Sequence, residues 1–351
     1  MIMYWLLRLG FALSRRLPLS WRYALGAVGG EAVYWCWPAK RRNTRRNMPV
    51  VTGDHGDGRR AAALARASLR NYGRYLIDFL NLPNMPPAQV VRRARVQGWE
   101  HVDRGLEAGK GVIFVTGHFG FWDYAPCLAA TRYPGRVYVV AEPFTSPRVD
   151  RLIQGQREAQ GTTVIPMTCV RQMVRVLRNN GILGVLVDRP AGGDGVAVQF
   201  FGRRATVPAG AATLAAMTGA MLVPGYLVRR RDGGYDGYIL PPTTPAPGGD
   251  RAAEIQRMTQ SIFSALERII ASSPQYWYMF RDMWPDGPRP DPGQGLGSGS
   301  RALRGMWAAP QGARVSGQTR GESAGALACG PSGDSQTPGS ARNLGVARSA
   351  T

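Results

Sequence analysis

The sequence is organised around one stretch, Lys110-Gly-Val-Ile-Phe-Val-Thr-Gly-His118-Phe-Gly-Phe-Trp-Asp123-Tyr-Ala125. Its apolar, β-branched run Val112–Val115 is bounded by glycines, which predicts a short buried strand. The strand ends at Thr116-Gly117 and is followed at once by His118. The largely apolar residues 121–130 then predict the start of a helix. A strand, a turn that carries a histidine, and a helix therefore follow one another here.

His118 and Asp123 are the two side chains of this stretch that could act together. On a regular helix, a spacing of five residues separates two side chains by about 140°. They can meet only if His118 lies in the turn and Asp123 curls back toward it from the first helical turn. A histidine oriented by a carboxylate is the arrangement of a general base, and a histidine that only caps the turn is the alternative. The other histidines are less well placed, since His55 lies in a Gly/Asp-rich loop and His101 at a polar helix start.

The chain has 351 residues and a formal net charge of +21, from 44 Lys and Arg against 23 Asp and Glu. This excess favours an anionic partner, which could be nucleic acid, an anionic membrane or an acidic substrate. Nearly all the basic residues are arginines, so a GC-rich genome is an alternative origin for part of the excess. The four cysteines show no Cys-x-x-Cys or Cys/His spacing, and no metal site is predicted.

The first 38 residues are rich in Trp, Tyr, Leu and Val, but no apolar run reaches the about 18 residues of a membrane span. They also lack the charged start and cleavage site of a signal peptide. Aromatic residues beside arginines are typical of a helix at a membrane interface, with ordinary packing helices as the alternative. The basic cluster Lys40–Asn47 suits anionic head groups, and taken alone it would suit nucleic acid equally well.

Strand and helix patterns alternate along the next part of the chain. Uniformly apolar strands are predicted at 112–115, 136–141, 163–166 and 182–187, with helices between them. This alternation predicts an α/β fold with a central, mostly parallel β-sheet flanked by helices. We divide the chain into N-terminal amphipathic helices (1–38), a main domain (39–285) and a Gly/Ser/Arg-rich disordered tail (286–351).

Charged residues follow several of these strands. Glu142 and Asp188 come directly after predicted parallel strands, Arg189 is next to Asp188, and Arg203 and Arg204 lie in a predicted basic turn. Because the carboxyl ends of parallel strands meet at one edge of a sheet, where ligands bind, these side chains are candidates for a site. The alternatives are a salt-bridged strand end for Asp188 and Arg189, and a solvated turn for Arg203 and Arg204.

A neutral His118 at this edge could take a proton from a substrate hydroxyl. No Ser or Cys is placed beside it, which favours direct transfer to that hydroxyl over a covalent enzyme intermediate. The sequence contains no P-loop, no GxGxxG after a first strand, no HExxH and no GxSxG. Nucleotide-binding, zinc-protease and serine-hydrolase functions therefore lose support.

The motif His118-Phe-Gly-Phe-Trp-Asp123 is an HxxxxD motif and resembles the "HxGNWD" signature of bacterial lipid A biosynthesis acyltransferases and phosphatidylinositol mannoside acyltransferases. The resemblance covers roughly residues 30–285. It continues in order through Ala141-Glu142-Pro143, Asp188-Arg189, Phe200-Phe201-Gly202-Arg203, Pro208-Ala-Gly-Ala, Val223-Pro224 and Trp277-Tyr-Met-Phe-Arg281.

This resemblance implies a glycerolipid acyltransferase-like fold and the transfer of an acyl group from a thioester to a hydroxyl of a membrane glycolipid. His118 would be the general base, and Asp123 would orient it and stabilise its charged form. The turn Gly202–Arg204 would face anionic groups of the donor or the acceptor.

Two departures from the family pattern stand out. Phe121 replaces the usual Asn of the motif, which puts the polar contacts there in question. Arg203 stands where some relatives have an acidic residue, so that turn offers no second carboxylate partner for His118, and Glu142 is the substitute candidate. An Asp at position 123 favours the mannoside-type branch, since many lipid A enzymes carry Glu.

The sequence thus predicts a membrane-associated O-acyltransferase on the cytoplasmic face of the cell membrane, peripheral or monotopic. Its co-substrate would be acyl-CoA or an acyl carrier protein thioester, its acceptor a glycolipid or lysophospholipid, and its surface partner a membrane with anionic lipids. No cofactor, metal or nucleic acid is expected. The alternatives are a basic nucleic-acid-binding module and a catalytically inactive relative that binds lipid.

Overall fold

The strand at the start of the central stretch lies in the middle of the fold. A computed structural model describes residues 16–54, 58–190, 195–246, 248 and 250–285. The first fifteen residues, His55 and the predicted tail 286–351 lie outside the described residues.

The described residues form nine strands. They are β1 (Ala94–Gln97), β2 (Val112–Thr116), β3 (Val137–Ala141), β4 (Thr163–Pro166), β5 (Ile182–Leu186), β6 (Val196–Phe200), β7 (Arg203–Val207), β8 (Met221–Arg229) and β9 (Tyr235–Ile239). Seven of them build one sheet in the order β1-β9-β8-β2-β5-β3-β4. Neighbouring strands run parallel except for the β8–β9 hairpin, so the predicted mostly parallel sheet is confirmed.

Ten α-helices lie among the described residues. They are α1 (Leu19–Cys36), α2 (Pro38–Thr52), α3 (Gly58–Asn81), α4 (Pro87–Arg93), α5 (Trp99–Glu107), α6 (Tyr124–Arg132), α7 (Pro147–Glu158), α8 (Val170–Arg178), α9 (Gly210–Thr218) and α10 (Arg251–Ser272). A single 3₁₀ turn, Pro274–Tyr276, follows α10. Residues 277–282, which we call the strap, then run back across α2.

The central strand β2 is buried on both faces, as expected for a parallel strand covered by helices. On one face, Ile113 and Val115 join the largest apolar cluster together with residues of α8, α9 and α10. On the other face, Val112 joins a second cluster that includes residues of α5 and α6. His118 leaves the carboxyl end of this strand, which places it at the edge where β3 and β5 also end.

The predicted basic turn at Gly202–Arg204 is a strand in part. Arg203 and Arg204 begin β7, which pairs antiparallel with β6, and Phe200 lies opposite Arg203. Only two residues connect the strands, Phe201 (φ 52°) and Gly202 (φ 69°). A two-residue hairpin turn with positive φ at both positions matches the twist of the flanking strands. The alternation of exposed and buried residues from Arg204 to Val207 in β7 was not recognised from the sequence.

The N-terminal helix α1 packs on α3 through glycines. A Cβ atom at Gly30 would lie 2.1 Å from the carbonyl oxygen of Leu69, and one at Gly73 would lie 1.9 Å from that of Gly26. The two helix backbones therefore touch at a distance that any larger side chain would prevent. No helix in the described part of the chain combines the length and the apolar character needed to cross a bilayer.

Two adjacent glycines of α1 give a matched test of this contact. We expect Gly30→Ala to lower the free energy of unfolding by about 1–3 kcal/mol, because the helices must separate to admit the methyl group. Gly29→Ala should raise it by about 0.5–1 kcal/mol, since a Cβ there meets nothing within 4 Å and alanine favours the helix. Urea unfolding of both variants measures the difference. Equal effects at the two positions would contradict the close packing.

Candidate active site

The turn after β2 is fixed by hydrogen bonds to two distant segments. The N–H of Gly120 donates to the carbonyl of Tyr276 (2.9 Å), and the N–H of Phe121 donates to that of Leu227 in β8 (2.9 Å). Gly120 has a φ of 63°, and a Cβ there would lie 1.9 Å from the Leu227 oxygen, so this position requires glycine. The N–H of Tyr278 donates to the carbonyl of His118 (2.8 Å). The turn is therefore held between β8 and the strap.

The carboxylate that contacts the imidazole of His118 is that of Asp188, directly after β5. His118 Nδ1 lies 2.6 Å from Asp188 Oδ1, and the backbone N–H of His118 donates to Oδ2 (2.8 Å). The indole Nε1 of Trp277 donates to the same Oδ2 (2.9 Å). Asp188 is fully buried and His118 retains 14% of its side-chain exposure. With Nδ1 held by the carboxylate, Nε2 is the atom left to accept a proton.

Burial alone would raise the pKa of Asp188. The charge of His118 and the hydrogen bonds from its ring, from Trp277 and from the His118 backbone outweigh burial, so the pKa lies below its usual value. Asp188 therefore stays ionised at neutral pH. An ionised carboxylate beside Nδ1 fixes the tautomer and the orientation of the ring.

Asp123 does not make the contact with His118 that the motif led us to expect. It is 5% exposed, its Oδ1 accepts from Arg157 Nε of α7 (2.7 Å), and its Oδ2 accepts from the Tyr75 hydroxyl of α3. The bonds that hold the turn direct His118 toward β5 and Asp123 toward α3 and α7, which separates the two side chains. Asp188, predicted only as a substrate-binding residue, is the carboxylate at the ring.

The pair formed by Asp123 and Arg157 is buried. Burial lowers the pKa of Arg157, but the charge and hydrogen bond of Asp123 raise it above its usual value. Burial, together with the charge of Asp123, holds the pKa of Tyr75 well above its usual value, so the phenol stays neutral and donates. Removing one partner of such a pair leaves an uncompensated charge in the interior.

An aromatic wall connects this buried pair to the histidine. The ring of Trp122 stacks on Tyr75 (centroids 4.1 Å apart) and meets His118 edge to face at 5.3 Å. Phe121 is 2% exposed and lies 5.3–5.4 Å from the rings of Tyr75, Tyr124 and Tyr235. The surroundings of Phe121 are thus aromatic, which accounts for an apolar residue where the family motif has Asn.

The remaining candidates lie apart from the imidazole. Glu142 forms an ion pair with Arg189 (2.8 Å), with both side chains about half exposed, so it does not serve as a second carboxylate for His118. Arg203 and Arg204 lie on the β6–β7 hairpin. In the described structure, no hydrogen bond or ion pair connects either arginine to His118 or Asp188.

Three residues of the site were not predicted from the sequence. Trp277 lies in a segment that the resemblance includes, but its indole contact could not be foreseen from the spacing. Tyr75 and Arg157 belong to no motif in the sequence. Among the described residues, no group of His, Cys, Asp and Glu side chains could hold a metal ion.

A narrow apolar cavity lies on the face of the sheet that α5 and α6 cover. Its walls contain almost no polar surface, and they include Phe114 of β2, Gly184 of β5, Gly237 of β9 and Leu128 of α6. A Cβ atom at Gly184 would lie 3.4 Å from Val139 Cγ1, which is an ordinary contact distance, whereas one at Gly237 would lie 2.9 Å from Val96 Cγ2.

Comparison with known proteins identifies the family of the chain. The family model described as bacterial lipid A biosynthesis acyltransferase matches residues 1–285. The chain belongs to this family, and it is an acyltransferase of lipid biosynthesis.

Individual members of the family and one solved structure are also similar to the chain. The chain is 30% identical over 284 residues to the phosphatidylinositol mannoside acyltransferase of Mycolicibacterium smegmatis, covering 78% of this chain and 89% of the relative. It is 25% identical to the lipid A biosynthesis lauroyltransferase of Escherichia coli, covering 79% and 91%. Among solved structures, the 1-acyl-sn-glycerophosphate acyltransferase PlsC from Thermotoga maritima matches 71% of this chain and 97% of its own, with a TM-score of 0.33 and 12% identity.

Proposed function

We propose that this acyltransferase works at a membrane surface and moves a fatty acyl group from a thioester to a hydroxyl of a glycolipid or lysophospholipid. The observation that carries the proposal is the His118–Asp188 pair, with Nδ1 held at 2.6 Å by a buried carboxylate and Nε2 left as the acceptor. The names of the relatives support a glycolipid acceptor. The thioester donor would be acyl-CoA or acyl carrier protein.

In this mechanism Nε2 of His118 takes the proton of the acceptor hydroxyl as its oxygen attacks the thioester carbonyl carbon. A C–O bond forms, the carbonyl oxygen becomes an oxyanion, and the charged imidazolium is stabilised by Asp188. When the oxyanion collapses, the C–S bond breaks and the leaving thiolate takes the proton back from Nε2. No residue of the protein is acylated. Asp123 acts as a positioning residue, through Tyr75 and Trp122, which contact one another and the His118 ring.

The apolar cavity suits the acyl chain. Its walls are apolar, which suits an alkyl chain. It lies beneath α6, the helix that directly follows the His118 turn. A chain bound there would gain about 0.8 kcal/mol for each methylene removed from water.

Helix α1 offers a surface for the membrane. Trp21, Leu25, Val28 and Trp35 are 66%, 54%, 65% and 58% exposed. At 100° per residue they fall within an arc of about 80°, opposite the glycine face that packs on α3. We call these four residues the apolar stripe. A helix that is apolar on both faces requires a partner on the exposed one. The basic cluster of α2 directly follows it, which favours a bilayer with anionic lipids.

Three variants test the assignment of the base. In acyl transfer from labelled palmitoyl-CoA to extracted membrane lipids, we expect His118→Ala and Asp188→Asn each to lose about 10³-fold or more in kcat. Asp123→Asn should lose less of its kcat per folded molecule and should keep the pH–rate profile of the wild type, because Asp123 acts on His118 only through Tyr75 and Trp122. Its melting temperature should fall, since Arg157 loses its charged partner.

Circular dichroism identifies variants that fail to fold. Full activity in folded His118→Ala would place the base elsewhere. An altered pH–rate profile in Asp123→Asn, with a normal one in Asp188→Asn, would show that Asp123 is the partner of the imidazole after all.

The length of the transferred chain tests the cavity. Gly184→Val adds apolar volume to the wall, so kcat/KM should fall more for palmitoyl than for lauroyl donors. Each methylene excluded costs about fourfold. The control is Gly155→Val in α7, where a Cβ meets nothing within 4 Å. An equal loss for both donors would indicate that the chain binds elsewhere.

Vesicle sedimentation tests the apolar stripe. We expect the double variant Trp21→Glu/Trp35→Glu to bind vesicles of phosphatidylcholine and phosphatidylglycerol about tenfold or more weakly, because two large side chains no longer enter the interface. The control is Met217→Glu, an exposed apolar residue (44%) of α9. Unchanged vesicle binding in the double variant would exclude α1 as the membrane contact.

A further inference from the structure

Three basic side chains from distant parts of the sequence lie close enough to act on one another electrostatically, beside the segment that contacts His118. Arg189 follows Asp188 at the end of β5, Lys40 lies in the first turn of α2, and Arg281 lies on the strap. The strap connects them, since it contacts His118 at one end through the N–H of Tyr278.

Hydrogen bonds from α2 fix the other end of the strap. Asn43 Nδ2 donates to the carbonyl of Phe280 (3.2 Å), and Asn47 Nδ2 donates to that of Arg281 (2.8 Å). Lys40 Nζ then lies 5.4 Å from the centroid of the Phe280 ring and 4.6 Å from that of Trp37. The partly buried ammonium of Lys40 is thereby held next to Arg281.

These cations outnumber the acids around them. Arg189 pairs with Glu142 at 2.8 Å. Within the described ranges, the ammonium of Lys40 and the guanidinium of Arg281 form no hydrogen bond or ion pair with any carboxylate. The group of four therefore carries three positive charges and one negative charge.

The basic groups repel one another. Burial and the charges of Arg281 and Arg189 lower the pKa of Lys40. Burial and the charge of Arg189 lower the pKa of Arg281, although Glu142 acts in the opposite sense. Convergent like charges are unfavourable unless an anion binds between them. All three side chains remain partly or largely accessible to solvent.

We propose that Lys40, Arg189 and Arg281 bind a phosphate group of one of the two substrates and so position the reacting group at His118. Two guanidinium groups and an ammonium supply the forked and point-like donors that phosphate oxygens accept. This inference rests on the proposed function only in assigning the phosphate to a substrate. The phosphate could belong to the acceptor phospholipid or to the carrier of the acyl thioester.

Direct binding tests the site without activity. By calorimetry, wild type should bind at least one of two probes: coenzyme A, or dihexanoyl phosphatidylinositol below its micelle concentration. Lys40→Gln and Arg281→Gln should each weaken that binding about tenfold, and the double variant more. Lys40→Arg should retain most of it. Arg178→Gln, an exposed end of α8 at the opposite edge of the sheet, should bind like wild type.

Kinetics then identify the source of the phosphate. The two donors are palmitoyl-CoA and the palmitoyl thioester of N-acetylcysteamine, which has no phosphate. If the bound phosphate belongs to the donor, Lys40→Gln should raise the KM for palmitoyl-CoA alone. If the bound phosphate belongs to the acceptor, Lys40→Gln should raise the KM for the lipid acceptor with both donors. In either case the pH–rate profile should remain that of wild type, because His118 and Asp188 are intact.

The outcomes separate this inference from the proposed function. If wild type binds neither probe, or the double variant binds as tightly as Arg178→Gln, the phosphate site is refuted. If binding behaves as expected but wild type transfers no acyl group, the phosphate site stands and the proposed function fails. Melting temperatures of Lys40→Gln and Arg281→Gln equal to or above that of wild type would show that the variants fold and that repulsion has been relieved.

Discussion

The rest of the site depends on one buried carboxylate. Asp188 accepts from the ring of His118, from the backbone N–H of the same residue and from the indole of Trp277. These donors belong to the turn after β2 and to the strap, while Asp188 itself follows β5. A charge removed from water is costly unless hydrogen bonds replace its hydration, and here three of them do. One ionised group thereby ties the central strand, its neighbour and the end of the domain together.

The two acidic residues Asp188 and Asp123 have different roles around the histidine. Asp188 holds the imidazole through Nδ1 and leaves the reacting Nε2 free, whereas Asp123 is enclosed by Arg157 and Tyr75 on the far side of an aromatic wall. Each lies in a different electrostatic setting. One is held ionised by donors that also orient the base, and the other is neutralised by a buried cation. The spacing in a motif therefore does not by itself say which carboxylate touches the ring.

Local patterns in the sequence were sufficient for most of the sheet. The strands β2 to β5 were predicted close to their bounds, and helices were predicted between them, because buried parallel strands and amphipathic helices have strong periodicity. The helix α2 was missed because its residues are mostly polar, and β1 because four residues carry little pattern. The edge that gathers His118 and Asp188 followed from strand direction. The partner of His118 did not, because it depends on how the turn is bonded to Leu227, Tyr276 and Tyr278.

Gly117, the residue directly before His118, is required by the position of Asp188. A Cβ at this position would lie 2.8 Å from Asp188 Oδ2, so a side chain there would displace the carboxylate. The backbone conformation of Gly117 is ordinary, unlike that of Gly120. Other residues are excluded because Asp188, which is far along the chain, occupies the space where a side chain would lie. A glycine directly before the histidine therefore indicates that an acidic residue from elsewhere in the chain packs against this turn. Chains with a larger residue at this position should hold their imidazole in another way.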